Sequence, residues 1–341
     1  MRVAMYYNNN DVRVEEMPIP EINDDELLVK VMSSGICGTD VMEWYRIKKA
    51  PLVLGHEISG AVNKAGKNVT NFKPGDRVMV SHHVPCMECH YCKSSHHTAC
   101  ETLHKTNIDP GGFSEYIRVP KINVELGTFK LPDNVSFEEG TFIEPIGTVV
   151  RAQRLANLNK NGTLLIIGSG ISGLMHIKLA KSKNIKKIIA TDVNEYRLNA
   201  AKRFGADFVF DARDNIVEKI KKINENRLAD AVIVCAGALS AAKQALQCID
   251  KGGTILFFAV PRPDERFDIP VNDFWRNEIK IMTSYGAAPD DLKESIQIIS
   301  SGSVDVKDMI THKLKFDEIW KGFQLVAEAK KSLKVIVELN K

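Results

Sequence analysis

The chain has 341 residues, more than one globular core of ~100–200 residues takes, so two domains are expected. Hydrophobic residues make up 44% and charged residues 26%, which excludes a disordered chain as the default. Lys plus Arg (46) against Asp plus Glu (43) leaves a net charge of +3, too little to imply a nucleic-acid or membrane-surface partner, and a small-molecule ligand is expected instead.

At the N-terminus no apolar stretch of signal-peptide length precedes the first acidic residues, and no run anywhere approaches the ~20 residues of a membrane span. A cytoplasmic protein is expected. Short β-type runs at 26–33, 58–64, 76–81 and 113–120 predict a mainly β region up to about residue 145. From about 160 the rhythm changes: TLLIIG, a helix after Gly173, KKIIATD, the helical NEYRLNAAKRFG, then ADAVIVCAG and TILFFAV. Repeated βαβ units of this kind predict a parallel sheet. Helices at 290–301 and 316–329 follow, then an apolar run at 333–339 that reads as a strand rejoining the first domain. Without long linkers, the two domains are expected to pack directly with a ligand-holding cleft between them.

Seven cysteines are an odd number, and four of them crowd into PCMECHYCKSSHHTAC as Cys86, Cys89, Cys92 and Cys100. That suits a metal site in a reducing compartment better than a secreted disulfide framework. Four thiolates at two tight spacings can close a tetrahedron round zinc and leave no room for a substrate; an iron–sulfur cluster uses similar CxxCxxC spacing and stays as an alternative. With four thiols available, His82, His83, His90, His96 and His97 read as surface residues. A second group is looser: eighteen residues separate Cys37 from His56-Glu57, and Glu144 stands before the βαβ region. Cys, His and a carboxylate hold zinc while leaving a position open.

Gly168, Gly170 and Gly173 form GxGxxG between the strand TLLII and a helix, with Ile171 and Ser172 opening that helix. The first glycine makes the turn, the second admits a pyrophosphate, the third lets helix and strand pack, and the helix N-terminus offers free N–H groups. Asp192 ends the next strand, where an acid accepts from ribose hydroxyls and repels a 2′-phosphate, favouring NAD over NADP. Arg197 could attract a phosphate instead, but at the start of an amphipathic helix it reads more readily as solvated. A hydride acceptor beside a Lewis acid is what alcohol oxidation requires.

These segments, with GICGTD at 35–40, GHExxG at 55–60 continued through Gly66, Val69 and Gly75-Asp76-Arg77-Val78, GGFSEY at 111–116 and IEP at 143–145, stand together in one chain. The sequence resembles the zinc-containing medium-chain dehydrogenase/reductase superfamily, and most of all its polyol (sorbitol) dehydrogenase branch, over essentially its whole length. The resemblance implies an α/β fold class: a GroES-like β-rich catalytic domain from 1–146 and 286–341, with a structural zinc lobe at 82–104, and a Rossmann NAD-binding domain with a doubly wound parallel sheet at 147–285. It implies two zinc ions per subunit, NAD, and a homodimer or homotetramer. Cys37 and His56 would ligate the catalytic zinc, Glu57 would be a ligand or exchangeable partner, and Glu144 would bind zinc or hold its water. Thr39 would take the proton from the alcohol.

Three departures stand out. Met42 replaces the histidine that relays the proton in many relatives. Ser284-Tyr285 stands where several sorbitol dehydrogenases carry an Arg-Tyr pair, and Trp44, Tyr45, Arg46, Lys48 and Lys49 form a basic stretch that could bind a phosphorylated sugar alcohol but reads more readily as a solvated loop. The expected activity is NAD-dependent oxidation of a secondary alcohol or polyol. Primary-alcohol or threonine-type amino-alcohol dehydrogenase activity on the same scaffold is an alternative, and a non-catalytic NAD-binding regulator is another, resting on Met42.

Overall fold

The structure, a computed structural model, describes residues 1–340. The chain divides into two compact units: Met1–Gly147 with the segment from Ala287 onward, and Thr148–Gly286.

The first unit is built on a seven-stranded sheet in the order Ile310–Lys315, Lys334–Glu338, Leu27–Gly35, Glu57–Ala65, Arg77–Val80, Thr128–Lys130, with Tyr116–Val119 also pairing to Leu27–Gly35. Leu27–Gly35 is its backbone because it is apolar enough to be buried along most of its length. Its last residues meet two neighbours: Gly35 lies opposite Glu57 on one side and opposite Ile336 on the other. The C-terminal strand therefore borders the segment carrying the GICGTD motif. A small three-stranded sheet, Asp11–Glu16, Arg2–Asn8 and Leu52–Val53, adds to this unit, and Tyr6, Phe113 and Phe323 pack their rings at the centre of its core.

The second unit is a six-stranded, all-parallel sheet in the order Phe208–Asp211, Lys187–Asp192, Thr163–Ile167, Ala229–Val234, Ile249–Phe257, Lys280–Thr283. Numbered within the unit this is 3-2-1-4-5-6, the doubly wound order whose strand direction switches beside the first strand. Thr163–Ile167 is buried at every position, as a central parallel strand covered on both faces must be. The helix after it begins at Ile171 rather than after Gly173, because Gly170 is extended (ψ −176°) and caps it. No helix among the described residues is long and apolar enough to cross a membrane.

Candidate active site

Strand register creates the first metal group. Because Gly35 faces Glu57, the residues just beyond the end of one strand and at the start of the other converge, and these are Cys37, His56 and Glu57. One ligand atom from each lies within 4.8 Å of the other two. Thiolate, imidazole and carboxylate are zinc donors, and three of them leave a tetrahedral ion one position for an exogenous oxygen, so this set fits a catalytic zinc. Glu144, in the first turn of helix Ile143–Leu155, stands outside that trio. Burial pushes its carboxyl up to about 7, with Glu57 adding to the effect and His56 opposing it.

Asp40 orients the group from below. It is fully buried; its Oδ1 lies 3.4 Å from His56 Nδ1 and its Oδ2 accepts the Cys37 N–H at 3.0 Å. A carboxylate on one ring nitrogen fixes the imidazole so that the other can face a metal. Burial works to raise the Asp40 carboxyl, but His56, Arg46 and the Cys37 N–H outweigh it and hold it below the usual carboxylate range.

Glu57 has a partner that sequence reading missed. Lys334, at the start of the C-terminal strand, forms an ion pair with it in which the side chains are 1% and 2% exposed. Gly35 makes room for the pair: a Cβ there would lie 2.3 Å from Glu57 Oε2 and 2.7 Å from Lys334 Cε. Glu57 is thus shared between the metal trio and Lys334, an arrangement separated by 277 positions in sequence and invisible to any local motif.

Two expectations about the surroundings need correction. Thr39 is exposed beside the trio and its hydroxyl donates to Cys37 Sγ at 3.3 Å, but the basic stretch after it is not simply solvated. Arg46 folds back, donating from Nε to the Thr39 carbonyl at 3.0 Å and placing Nη2 3.5 Å from the Thr39 hydroxyl and 3.8 Å from Asp40 Oδ1. His82 and His83 are not surface residues either. Both are half-buried, with the His82 ring centred 4.8 Å from that of His56 and stacked at 3.9 Å on His83, because Arg77–Val80 pairs with the strand that His56 precedes. Burial, reinforced by the neighbouring His56, holds His82 well below its ordinary pKa and hence neutral.

The cysteine lobe closes on itself. Cys86, Cys89, Cys92 and Cys100 offer sulfurs within 4.8 Å of one another, with Cys89–Cys92 and Cys86–Cys100 separations of 3.6 Å. A zinc tetrahedron with Zn–S near 2.3 Å sets its sulfurs about 3.8 Å apart, so the lobe fits one ion, whereas an iron–sulfur cage would splay the thiolates much further. Backbone N–H groups of Glu88 and Cys89 already point at Cys86 Sγ, and that of Cys86 at Cys100 Sγ. His90 and His96 are exposed and take no part.

In the second unit Gly168 takes φ +95°, and a Cβ on Gly173 would stand 1.9 Å from the Gly168 carbonyl oxygen, so helix and turn touch backbone to backbone. The space beside Gly170 is open to 4 Å, and the N–H groups of Ile171 and Ser172 belong to the first helical turn, which fits a pyrophosphate. Asp192, 6% exposed, accepts the Ser169 N–H at 2.8 Å and the Asn194 N–H at 2.9 Å, tying the glycine turn to the second strand. Arg197 is not solvated as expected but leans to 3.9 Å from Asp192 Oδ2, with its side chain 24% exposed.

A β-rich unit with an open metal trio, in one chain with a dinucleotide fold, is the division of labour of a metal-assisted dehydrogenase. Residues 23–133 match the family described as alcohol dehydrogenase GroES-like domain, and 170–301 the zinc-binding dehydrogenase family. The chain is 33% identical to sorbitol dehydrogenase of Bacillus subtilis (strain 168) over 354 aligned residues, covering 100% of this chain and 98% of the relative. It is 32% identical to D-xylulose reductase A of Aspergillus niger, covering 96% and 93%. Among solved structures, galactitol-1-phosphate dehydrogenase from Escherichia coli superposes with a TM-score of 0.87 at 26% identity, over 99% of this chain and 100% of that one. The chain belongs to the zinc-containing medium-chain dehydrogenases, and it is an alcohol/polyol oxidoreductase with zinc and NAD as cofactors.

Proposed function

We propose that the protein interconverts a secondary alcohol of a polyol with the corresponding ketone. The observation that carries this reading is the trio Cys37, His56 and Glu57, open on one side, braced by Asp40 and flanked by the Thr39 hydroxyl. Bound there, zinc supplies a Lewis acid that lowers the pKa of an alcohol, and NAD accepts hydride. The protein's own part is positional. Asp40 sets the His56 ring, Lys334 balances the Glu57 charge, and Thr39 offers a hydroxyl through which the alcohol proton can leave. Glu144, a buried carboxyl close enough to His56 and Glu57 to feel their charges, would bind the zinc or hold its water. Cys86, Cys89, Cys92 and Cys100 would hold a structural zinc.

Asp192, tethered on its strand, selects against a 2′-phosphate. Seven cysteines without a disulfide support a reducing, cytoplasmic setting. A homodimer or homotetramer is supported by the outermost strand Lys280–Thr283, whose neighbours Val271 and Trp275 are 69% and 74% exposed.

The test is NADH formation over sorbitol, xylitol, a simple primary alcohol and threonine. Polyols should give the highest kcat/KM. Preference for the primary alcohol or threonine would replace this reading by the corresponding activity, and no reduction of NAD with any of them would point to a binding protein.

A further inference from the structure

The segment after Thr39 carries more positive charge than the metal trio needs. Arg46 spends Nε on the Thr39 carbonyl and turns Nη2 toward the Thr39 hydroxyl and Asp40, while its Nη1 has no partner among the described residues. Its side chain is 16% exposed, so a full guanidinium charge is held at the edge of the site rather than in bulk water. Tyr45 carries two cations: the Arg46 guanidinium carbon lies 4.8 Å from its ring centre and the Lys49 ammonium 5.5 Å from the same ring. Lys48 stands between them in sequence. The nearby acids answer this charge only in part. Glu43 is turned to the Asn9 N–H at 3.0 Å, and Asp40, 3.8 Å from Arg46 Nη2, is buried and shared with His56 and the Cys37 N–H. The same positive field reaches His83, held at about 4 by burial first and then by His56, His104, Arg46 and Lys49.

A guanidinium with a free edge, stiffened by one backbone and two side-chain contacts and an aromatic ring, is suited to a planar or tetrahedral oxyanion. Its position sets the distance. Thr39 Oγ1 is a hydrogen bond away from the reacting oxygen in the reading above, and Arg46 is 3.5 Å from Thr39 Oγ1, so the anion must sit on the substrate itself, a few bonds from the carbinol carbon.

We propose that Arg46, with Tyr45 and Lys49, forms a subsite for an anionic group, a phosphate ester or a carboxylate, carried by the polyol that this protein oxidises. The inference rests on the polyol reading and narrows it: the preferred substrate is a polyol phosphate or an aldonate, not a neutral sugar alcohol. Arg46 acts by binding that group and takes no part in the transfer of hydride.

The test compares sorbitol, sorbitol 1- and 6-phosphate and gluconate as substrates of the zinc-loaded protein, the native chain against Arg46→Gln and Lys49→Gln. An anionic derivative should have a KM lower than that of sorbitol by about tenfold, and Arg46→Gln should abolish that ratio, bringing the KM values of anionic and neutral substrates together whatever its effect on sorbitol alone. The phosphate esters and gluconate separate the two sources of the anion. A purely structural Arg46, bracing the Thr39 turn, would lower kcat for neutral and anionic substrates alike, and that result overturns the proposal, as does a lower KM for sorbitol than for every anionic derivative. If none of the four is oxidised, the polyol reading itself fails. Binding then decides the subsite: quenching of the fluorescence of Trp44, beside Tyr45, by sorbitol 6-phosphate that is lost in Arg46→Gln supports it, and absence of quenching overturns it.

Discussion

Thr39 and Lys334 show two ways in which one side chain governs this site. Thr39 presents a hydroxyl at the open edge of the trio, and the position three residues on is Met42, which cannot accept a proton. If the alcohol proton leaves through Thr39, then Thr39→Ala should lower turnover by roughly 10²-fold or more while zinc content and NAD affinity stay as they are. The rate must be read where chemistry, not NADH release, is limiting; a variant near full speed would remove Thr39 from the proton path. Lys334 acts by charge. Lys334→Met would strand the buried Glu57 carboxylate, at a cost of about 3–5 kcal/mol, and a second change, Glu57→Gln, should recover most of it. Denaturant midpoints of the single and double variants measure this, and equal stability of Lys334→Met and the native chain would contradict it. Cys37, His56 and the four lobe cysteines were legible because their spacing or family motif is local. Lys334 and the contacts of Arg46 and His82 were not, since each reaches the site through strand register or a folded-back loop that neighbouring residues do not encode.

At the scale of the element, legibility followed burial. Thr163–Ile167 and Lys187–Asp192 read plainly as strands because covering on both faces demands an unbroken apolar run. Ile310–Lys315, ITHKLK, was missed because Thr311, Lys313 and Lys315 line one face and the strand is only partly buried; Arg2–Asn8, RVAMYYN, was missed although Val3, Ala4 and Tyr6 are buried, because Arg2 and Asn8 bound a short apolar run with no clear alternation. The helix Ile171–Ser182 hides a further feature, a wholly buried His176. Gln153 donates to its carbonyl at 2.8 Å, and its ring packs edge-on against Phe258. Burial holds it at about 3, so it stays neutral in the folded protein. The sign follows from this depression. The contribution is complete above the unfolded value near 6.5 and is lost as pH falls toward 3, because the unfolded chain takes up a proton that the folded one refuses. Between about pH 6.5 and pH 5 the native protein should therefore lose up to ~1.4 kcal/mol per unit relative to His176→Leu. Urea unfolding of both proteins across that range provides the comparison; parallel curves would mean His176 is protonated in place.

For the whole molecule, the central claim is a division of labour between two metal sites and a dinucleotide fold. The closed cysteine lobe would surround an ion with four sulfurs, whereas the trio of Cys37, His56 and Glu57 would leave its ion accessible and shares Glu57 with Lys334. The open ion should therefore leave first when a chelator competes. The decisive measurement follows zinc per chain and polyol oxidation together during chelation and after zinc is returned. The account predicts two zinc ions per chain at the outset, loss of all activity with departure of the first, an intact fold while the second remains, and recovery of activity when zinc is restored. Undiminished polyol oxidation by a chain that retains one ion in the cysteine lobe would contradict it.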